Sequence, residues 1–127
     1  MADPVDRAAA AAPRPGRAVR GSDTGRPVMA ALDLLGRRWA LRVLWELSRA
    51  PAGFREVQRR CERMSSSVLT VRLAELAEAR VLTRDGELYR LTPLGEDLVA
   101  ALGPLDAWSH RWARELDGPD GADRPDC

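Results

Sequence analysis

The sequence contains no lysine, no asparagine and no isoleucine, so all 20 of its basic residues are arginine. It has one histidine, His110, and two cysteines, Cys61 and Cys127. No cysteine–histidine spacing suits a metal ion, and a single histidine leaves no plausible Ser/His/Asp set. A glycine-rich phosphate loop is also missing. The composition therefore predicts a protein that is not an enzyme and that has no cofactor.

Long apolar runs are missing as well, because no stretch approaches the roughly 20 apolar residues that span a bilayer. The alanine run at residues 8–12 is followed by Pro-Arg-Pro-Gly, which is unlike a signal peptide. Two cysteines do not make a disulfide framework. Cys61 falls on an apolar helical position, where a thiol is usually inert. We therefore expect a cytoplasmic protein in a reducing environment, with no contact to a membrane.

The chain of 127 residues divides by composition into one domain and two tails. Residues 1–26 contain almost no large apolar side chain, and residues 117–127 are polar and acidic. Ordering either segment would bury little surface against the entropy lost, so both are predicted to be disordered. Residues 27–116 hold the apolar runs and are predicted to form the folded domain.

Positive charge is concentrated in one part of this domain, although the whole chain has a formal charge of only +1. Between residues 55 and 72, five arginines stand against two glutamates: Arg55, Arg59, Arg60, Arg63 and Arg72. Such a cluster is the expected electrostatic signature of nucleic-acid binding. A merely solvated arginine-rich surface is the alternative interpretation.

The spacing of apolar residues predicts a helix-turn-helix. One helix is expected over residues 28–35 and a second over residues 38–47. Phe54, Val57 and Cys61 then form the apolar stripe of a two-turn positioning helix. The predicted fold is mainly α with a small β-hairpin, namely a winged helix-turn-helix domain with terminal dimerisation helices.

A third helix beginning after Ser65 is the predicted recognition helix, with the Ser65 hydroxyl as its N-cap. Leu69, Leu73 and Leu76 supply its buried stripe, and Ala74 and Glu78 are expected on the opposite side with the contacting residues. The N-terminal turns of such a helix normally enter the major groove. The predicted reading surface consists of Ser66, Ser67, Thr70 and Val71, with Arg72 reaching toward a phosphate. A surface helix without this role is the alternative.

A β-hairpin is predicted next, because Asp85-Gly86 separates two β-like runs and is a strong signal for a type I′ turn. Val81 and Leu91 are expected to point inward, and Arg84 and Arg90 to point toward the DNA backbone. The complete set of predicted DNA-contacting residues is Arg55, Arg59, Ser65, Ser66, Ser67, Thr70, Val71, Arg72, Arg84 and Arg90.

The last predicted helix begins with Thr92 as N-cap and Pro93 at its first position, a favoured pairing. Gly103-Pro104 is expected to kink or break it. Its long apolar stripe exceeds what one small domain can cover, so a homodimer is predicted. The predicted interface is formed by Val28, Leu32, Leu98, Leu102, Leu105, Trp108 and Trp112. The alternatives are a helix that folds back on its own domain, or an aromatic pocket for a small apolar effector between Trp39, Trp45, Trp108 and Trp112.

Five segments of the sequence resemble the HxlR-type winged-helix regulators in order and spacing: residues 27–28, 31–39, 54–57, 69–76 and 91–95. The resemblance extends from residue 27 to about residue 112. It implies a dimeric bacterial transcription regulator that binds a roughly palindromic operator in double-stranded DNA, with the terminal helices forming the dimer.

Three positions depart from the family pattern. The family often carries a cysteine just before the Pro-Val pair, where some members sense electrophiles or oxidants, but this chain has Arg26. Ser67 and Val71 stand where the family usually has a lysine and a common glutamine in the recognition helix. We therefore expect no thiol sensing at residue 26. The predicted function is a sequence-specific DNA-binding regulator, a repressor by operator occlusion, and the alternative is a winged-helix module for protein contact.

Overall fold

The computed structural model describes residues 12–62 and 64–118. Within these residues the elements follow in the order α1 (Pro27–Leu35), α2 (Ala40–Arg49), β1 (Ala52–Gly53), α3 (Phe54–Arg60), α4 (Ser66–Glu78), β2 (Leu82–Asp85), β3 (Leu88–Leu91) and α5 (Pro93–Asp117). The mainly α fold with a small hairpin is therefore confirmed. None of the helices described combines the length and apolar character that crossing a bilayer requires.

Helix α1 begins at Pro27 and ends at Gly36, whose N–H donates to the carbonyl of Leu32 at 2.8 Å. Proline at the first helical position and glycine after the last one explain both boundaries. Only Ala30 and Leu34 of this helix are buried. The other apolar residues of this helix are not fully buried, and Val28 and Leu32 are exposed.

The core lies between α2, the helix-turn-helix pair α3–α4 and the hairpin. Apolar residues at helical spacing direct their side chains into it, as the sequence predicts for α2 and α4. Its buried members include Val43, Leu44, Leu47, Val57, Cys61, Leu69, Leu73, Leu76 and Leu82. This single core holds α4, the predicted recognition helix, at the surface of the domain, with one side of the helix exposed to solvent.

The three strands form one antiparallel sheet in the order β1–β3–β2. Asp85 pairs with Leu88, so the two-residue loop of the hairpin is Gly86-Glu87. Gly86 has a φ of 63° and Glu87 has no positive φ, which is the pattern of a type II′ turn. The predicted hairpin is confirmed, but its turn lies one residue later than predicted and is of the other primed type. Glycine occupies the first central position, where a positive φ is needed.

Helix α4 ends in a Schellman motif, which joins it to the hairpin. The N–H of Val81 donates to the Leu76 carbonyl at 3.1 Å, and the N–H of Arg80 donates to the Ala77 carbonyl at 2.9 Å. Arg80 takes a φ of 63°, a left-handed conformation that glycine usually provides. The recognition helix therefore stops abruptly at the base of β2.

Thr92 connects this junction to α5. Its hydroxyl accepts from the N–H of Gly95 at 3.0 Å, as predicted for an N-cap, and donates to the carbonyl of Arg80 at 2.6 Å. A Cβ at Gly95 would lie 1.9 Å from the carbonyl oxygen of Val81. The first turn of α5 can approach the hairpin so closely only because residue 95 has no side chain.

Helix α5 runs as one 25-residue helix with Pro104 inside it. The break that Gly103-Pro104 could have caused is therefore absent. Proline removes the hydrogen bond to the carbonyl of Ala100, four residues earlier. Ala100 is exposed, so water can bond the carbonyl that is left free.

The segment before α1 forms turns over residues 12–26. Val19 and Ser22 make an isolated bridge, and the N–H of Gly16 donates to the carbonyl of Gly25 at 2.9 Å. These turns of residues 12–26 differ from the disorder predicted for residues 1–26. Hydrogen bonds between backbone groups in the glycine-containing turns hold the segment without large apolar side chains. Residues 1–11 and 119–127, which hold the rest of the predicted tails, lie outside the described residues.

Candidate nucleic-acid interface

The turn between α3 and α4 is held by the side chain of Gln58 in α3. Gln58 Nε2 donates to the Met64 carbonyl at 3.1 Å and to the Ser66 hydroxyl at 2.9 Å. Met64 and Cys61 are buried beneath this turn. Side-chain bonds and apolar anchoring therefore set the angle at which α4 leaves the domain.

The N-terminus of α4 is capped as predicted. Ser65 Oγ accepts from the N–H of Val68 at 3.2 Å, and Thr70 Oγ1 donates to the Ser66 carbonyl at 2.8 Å. Ser66 and Ser67 are exposed, while Thr70 and Val71 are half-buried. These four residues form one strip, which we call the reading strip. It presents three hydroxyl groups and the apolar side chain of Val71, and it has no amide or guanidinium for a bidentate base contact.

The C-terminal half of α4 is more enclosed than predicted. Ala74, expected on the outer side, is only 5 % exposed, and Glu75 is only 1 % exposed. Ala74 has a small side chain that allows close packing. Ala74 and Glu75 are therefore not available for contact with a DNA groove, whereas Ala77 and Glu78 are exposed.

Arg72, predicted to reach a phosphate, lies instead against the protein. Its Nε donates to the carbonyl of Arg38 at 2.6 Å, and its Nη1 is ion-paired with Glu75. Arg37 pairs with the other carboxylate oxygen of Glu75. A carboxylate this deeply buried needs charged partners, and that need explains why Arg72 turns inward.

The predicted basic patch of residues 55–72 is largely neutralised. Arg59 is exposed but is ion-paired with Glu56, and Arg60 donates to the same carboxylate and to the Ala50 carbonyl at 2.9 Å. Arg55 is exposed and, among the described residues, has no ion-pair partner. Arg63 lies outside the described residues. Among the described members of the patch, Arg55 is thus an exposed arginine without an ion-pair partner.

The two wing arginines lie on opposite sides of the hairpin. Arg84 is paired across the strands with Tyr89, and its guanidinium lies 5.6 Å from the Tyr89 ring centroid. Its Nε also donates to the Gly86 carbonyl at 3.0 Å. Arg90 is on the other side, with its Nη2 3.8 Å from Asp85 Oδ2. Both are exposed, so a contact of either arginine with the DNA backbone stays a prediction.

A second surface is apolar and lies away from the reading strip. Along α5, Leu105, Trp108, Trp112 and Leu116 are all exposed, and Trp112 is 51 % exposed. The ring centroids of Trp108 and Trp112 lie 5.4 Å apart with their planes 13° from parallel. The alternative of a helix that folds back to cover this stripe is therefore wrong for the second half of α5.

The remaining predicted interface residues divide between two environments. Val28 and Leu32 of α1 are exposed, whereas Leu98 packs partly against the domain's own core. Leu102 is half-buried. Leu98 thus contributes in part to the stability of its own domain.

The structure does not gather the four tryptophans around one pocket. Trp39 packs against the core beneath Arg38, while Trp45 is exposed on α2. The larger of two clefts has a volume of about 980 Å³ and lies between the turns of residues 12–17, α1 and the start of α5. No tryptophan lines it.

Cys61 is fully buried. Burial raises the pKa of its thiol, and the carboxylate of Glu46 adds to this effect against the opposing charges of Arg42 and Arg60. A raised pKa keeps the thiol protonated and unreactive. The prediction of an inert side chain agrees with this geometry.

The sequence analysis did not single out Arg37, Arg38 and Glu75, which the structure brings together with Arg72. A signal was present, because two cations stand just before the N-terminus of α2, where the helix dipole disfavours positive charge. Two arginines at this position indicate that their charges pair with residues distant in the sequence or bind a ligand. Glu75, on another helix, is the partner that pairs with Arg37.

A family model described as HxlR-like helix-turn-helix matches residues 34–117. That match covers more than half of the chain. The chain belongs to the HxlR-like helix-turn-helix family.

Relatives of this HxlR-like chain agree with that assignment. YvaP of Bacillus subtilis (strain 168), described as an uncharacterised HTH-type transcriptional regulator, is 30 % identical over 89 residues, which is 65 % of this chain and 82 % of YvaP. The quinone-bound structure of YodB from B. subtilis is 29 % identical with a TM-score of 0.65, over 67 % of this chain and 97 % of YodB. A transcriptional regulator of the MarR family from Enterococcus faecalis V583 is 27 % identical with a TM-score of 0.65, over 77 % and 96 % of the two chains.

These comparisons define the class of the protein. The family and its neighbours are winged-helix transcriptional regulators and are not enzymes. DNA binding is the activity that membership of a helix-turn-helix regulator family implies.

Proposed function

We propose that this chain is a homodimeric, sequence-specific repressor, which acts in the cytoplasm by occupying a pseudo-palindromic operator. The observation that carries the proposal is the reading strip, which is held outside the core by the Ser65 cap and the Gln58 bonds. Its hydroxyls can bond phosphates or base edges, and Val71 can contact a thymine methyl group. Occlusion is the simplest mode for a domain that presents only a DNA-reading surface and a pairing surface.

The exposed apolar half of α5 supports the dimer. Two large tryptophan side chains and two leucines remain in contact with water in one copy of the chain, and a second copy would cover them. A two-fold dimer is self-complementary, since the same patch is used by both subunits. It would set two reading strips about 34–36 Å apart, the spacing of successive major grooves on one side of DNA.

The dimer is tested by sedimentation of the full chain at micromolar concentration. Trp112→Glu places a charge on the apolar side of α5 and is expected to give monomers. Ala107→Glu is the matched control, because it introduces the same charge on the same helix about 140° away from Trp112. A wild-type chain that sediments as a monomer would refute the dimer.

DNA binding is tested by fluorescence anisotropy with duplex DNA from upstream of the protein's own gene, at two salt concentrations. We expect tight binding that weakens steeply with salt. Trp112→Glu should weaken it strongly, because a monomer contacts only one half-site. Ser67→Ala and Val71→Ala should reduce the preference for that DNA over a scrambled duplex.

A protein-contact module is the second candidate function. The reading strip lacks the amide and guanidinium groups that usually read bases, and the wing tip carries Asp85 and Glu87. Both observations favour contact with another protein. Undetectable binding to any duplex at low salt would select this candidate over the regulator.

A site for a small apolar effector is proposed in a different place from the tryptophan pocket that the sequence predicted. The cleft of about 980 Å³ beside α1 has the size of a small-molecule site and apolar walls that include Leu34, Leu35 and Leu98. Hydrophobic dyes that are displaced by candidate effectors provide the assay.

A further inference from the structure

A second cleft, with a volume of about 460 Å³, is lined mainly by arginine. It lies where the turn between α1 and α2 meets the side of α4. Its lining residues are Arg20, Leu32, Asp33, Gly36, Arg37, Arg38 and Arg72. We call it the arginine cleft.

The charges around the arginine cleft do not cancel. Asp33 lies near the most exposed arginine, with 4.0 Å between Asp33 Oδ1 and Arg20 Nε. Glu75 lies beneath the cleft and is shared by Arg37 and Arg72. Among the described residues, four guanidinium groups and two carboxylates surround the cleft, and the Arg38 guanidinium pairs with neither carboxylate. The excess is positive and is held in a concave site, where it attracts anions more strongly than on a flat surface.

Two of the arginines that line the cleft, Arg72 and Arg38, are held by contacts within the protein. Arg72 is anchored at two points, by the Arg38 carbonyl and by Glu75. The Arg38 guanidinium lies 5.9 Å from the Trp39 ring centroid, and no carboxylate of the described residues pairs with it. Planar guanidinium groups match the geometry of phosphate and similar oxyanions.

The arginine cleft also borders the reading strip. Arg72 follows Val71 directly in α4, so the two side chains lie about 100° apart around the helix. When the reading strip occupies the major groove, the flank that carries Arg72 and Arg38 faces one wall of that groove. A sugar–phosphate backbone forms this wall.

We propose that the arginine cleft is an oxyanion site that holds a backbone phosphate of the operator, with Arg38 and Arg20 as the contacting residues. This assignment rests on the proposed DNA-binding function. Arg37 and Arg72 are positioning residues, because their charge is shared with Glu75. The same chemistry suits a free phosphate-like anion, so the experiment separates the two sources.

The first arm measures the affinity of full-length Arg38→Gln for the upstream duplex and for a scrambled duplex over a range of salt concentrations. One lost phosphate contact should lower the slope of log K against log salt by about 0.9, which is about eightfold in affinity at 0.1 M salt. The loss should be equal on both duplexes, because phosphate contacts carry no sequence information. Arg20→Gln should lower the slope in the same direction.

The matched control is Arg49→Gln. Arg49 is the last residue of α2, at the opposite end of that helix from Arg38 and Trp39. It is exposed and lines neither cleft. Its slope and affinity should equal those of the wild type. Melting curves check that Arg38→Gln is folded, which the exposure of its side chain leads us to expect.

The second arm uses inorganic phosphate as the probe. The melting temperature of the protein in phosphate is compared with its melting temperature in chloride at the same ionic strength. One outcome is that phosphate stabilises the wild type but not Arg38→Gln, while the salt slope of Arg38→Gln equals that of the wild type. That result would support an oxyanion site but assign it to a free anion and not to a DNA phosphate. No change in either arm would overturn the proposal. If the wild type binds no duplex at low salt, the proposed function fails, and the phosphate arm alone then decides the cleft.

Discussion

Replacing Glu75 by glutamine removes the carboxylate that Arg37 and Arg72 share. Glu75 is 1 % exposed, and the side chains of Arg37 and Arg72 are 30 % and 18 % exposed. An amide keeps one acceptor oxygen for one arginine but presents an NH₂ group to the other. Two guanidinium groups would then remain close together without the negative charge of Glu75 between them.

The magnitude follows from this burial. Removing one partner of a fully buried ion pair costs about 3–5 kcal/mol. Both arginines reach solvent in part, so water relieves some of the penalty, and we expect a loss of about 2–3 kcal/mol in the free energy of unfolding. For a domain of this size the loss corresponds to a fall of about 10–20 °C in Tm.

Urea denaturation at neutral pH, followed by tryptophan fluorescence and circular dichroism, provides the measurement. Asp85→Asn is the comparison, because the Asp85–Arg90 pair is exposed and should contribute only about 0.5 kcal/mol or less. The triple substitution Arg37→Met, Glu75→Leu and Arg72→Met removes all three charges and should recover most of the loss. A Glu75→Gln variant that is no less stable than Asp85→Asn would refute the reasoning.

Three further predictions follow from local geometry. Gly95→Ala should destabilise the fold by about 3 kcal/mol or more, because its Cβ would lie 1.9 Å from the Val81 carbonyl oxygen; a normal Tm would contradict this. Arg80→Gly should raise stability by about 0.5–1 kcal/mol in the same assay, since glycine adopts a φ of 63° without a steric penalty. In a Cys127→Ser background, the Cys61 thiol should resist iodoacetamide at pH 9 until urea unfolds the chain, because burial raises its pKa. Rapid alkylation of the native protein would show that the thiol is accessible.

Features that depend on a few neighbouring residues were predictable from the sequence. Ser65 and Thr92 were identified as N-caps because the capping signal needs only the next three residues. The buried stripe of Leu69, Leu73 and Leu76 follows from helical spacing alone. These signals fix the fold class and the position of the recognition helix.

Features that depend on distant partners were not predictable. Arg72 appeared free to reach DNA because its partners, Glu75 and the Arg38 carbonyl, are assembled only when α2 packs against α4. The turn type differed because strand register, rather than the Asp-Gly pair, decides which residue takes the positive φ. Ala74 is buried by packing that helical periodicity does not describe.

Thr92 lies where α4, the helix proposed to read DNA, meets α5, the helix proposed to pair with a second copy. Its hydroxyl binds both the residue that terminates α4 and the first turn of α5, and its N–H donates to the Val81 carbonyl at 3.1 Å. So short a linkage contains no flexible joint. A change in the direction of α5 must therefore tilt α4 by a similar amount, and in the proposed dimer this corner would set the distance between the operator half-sites that the protein accepts.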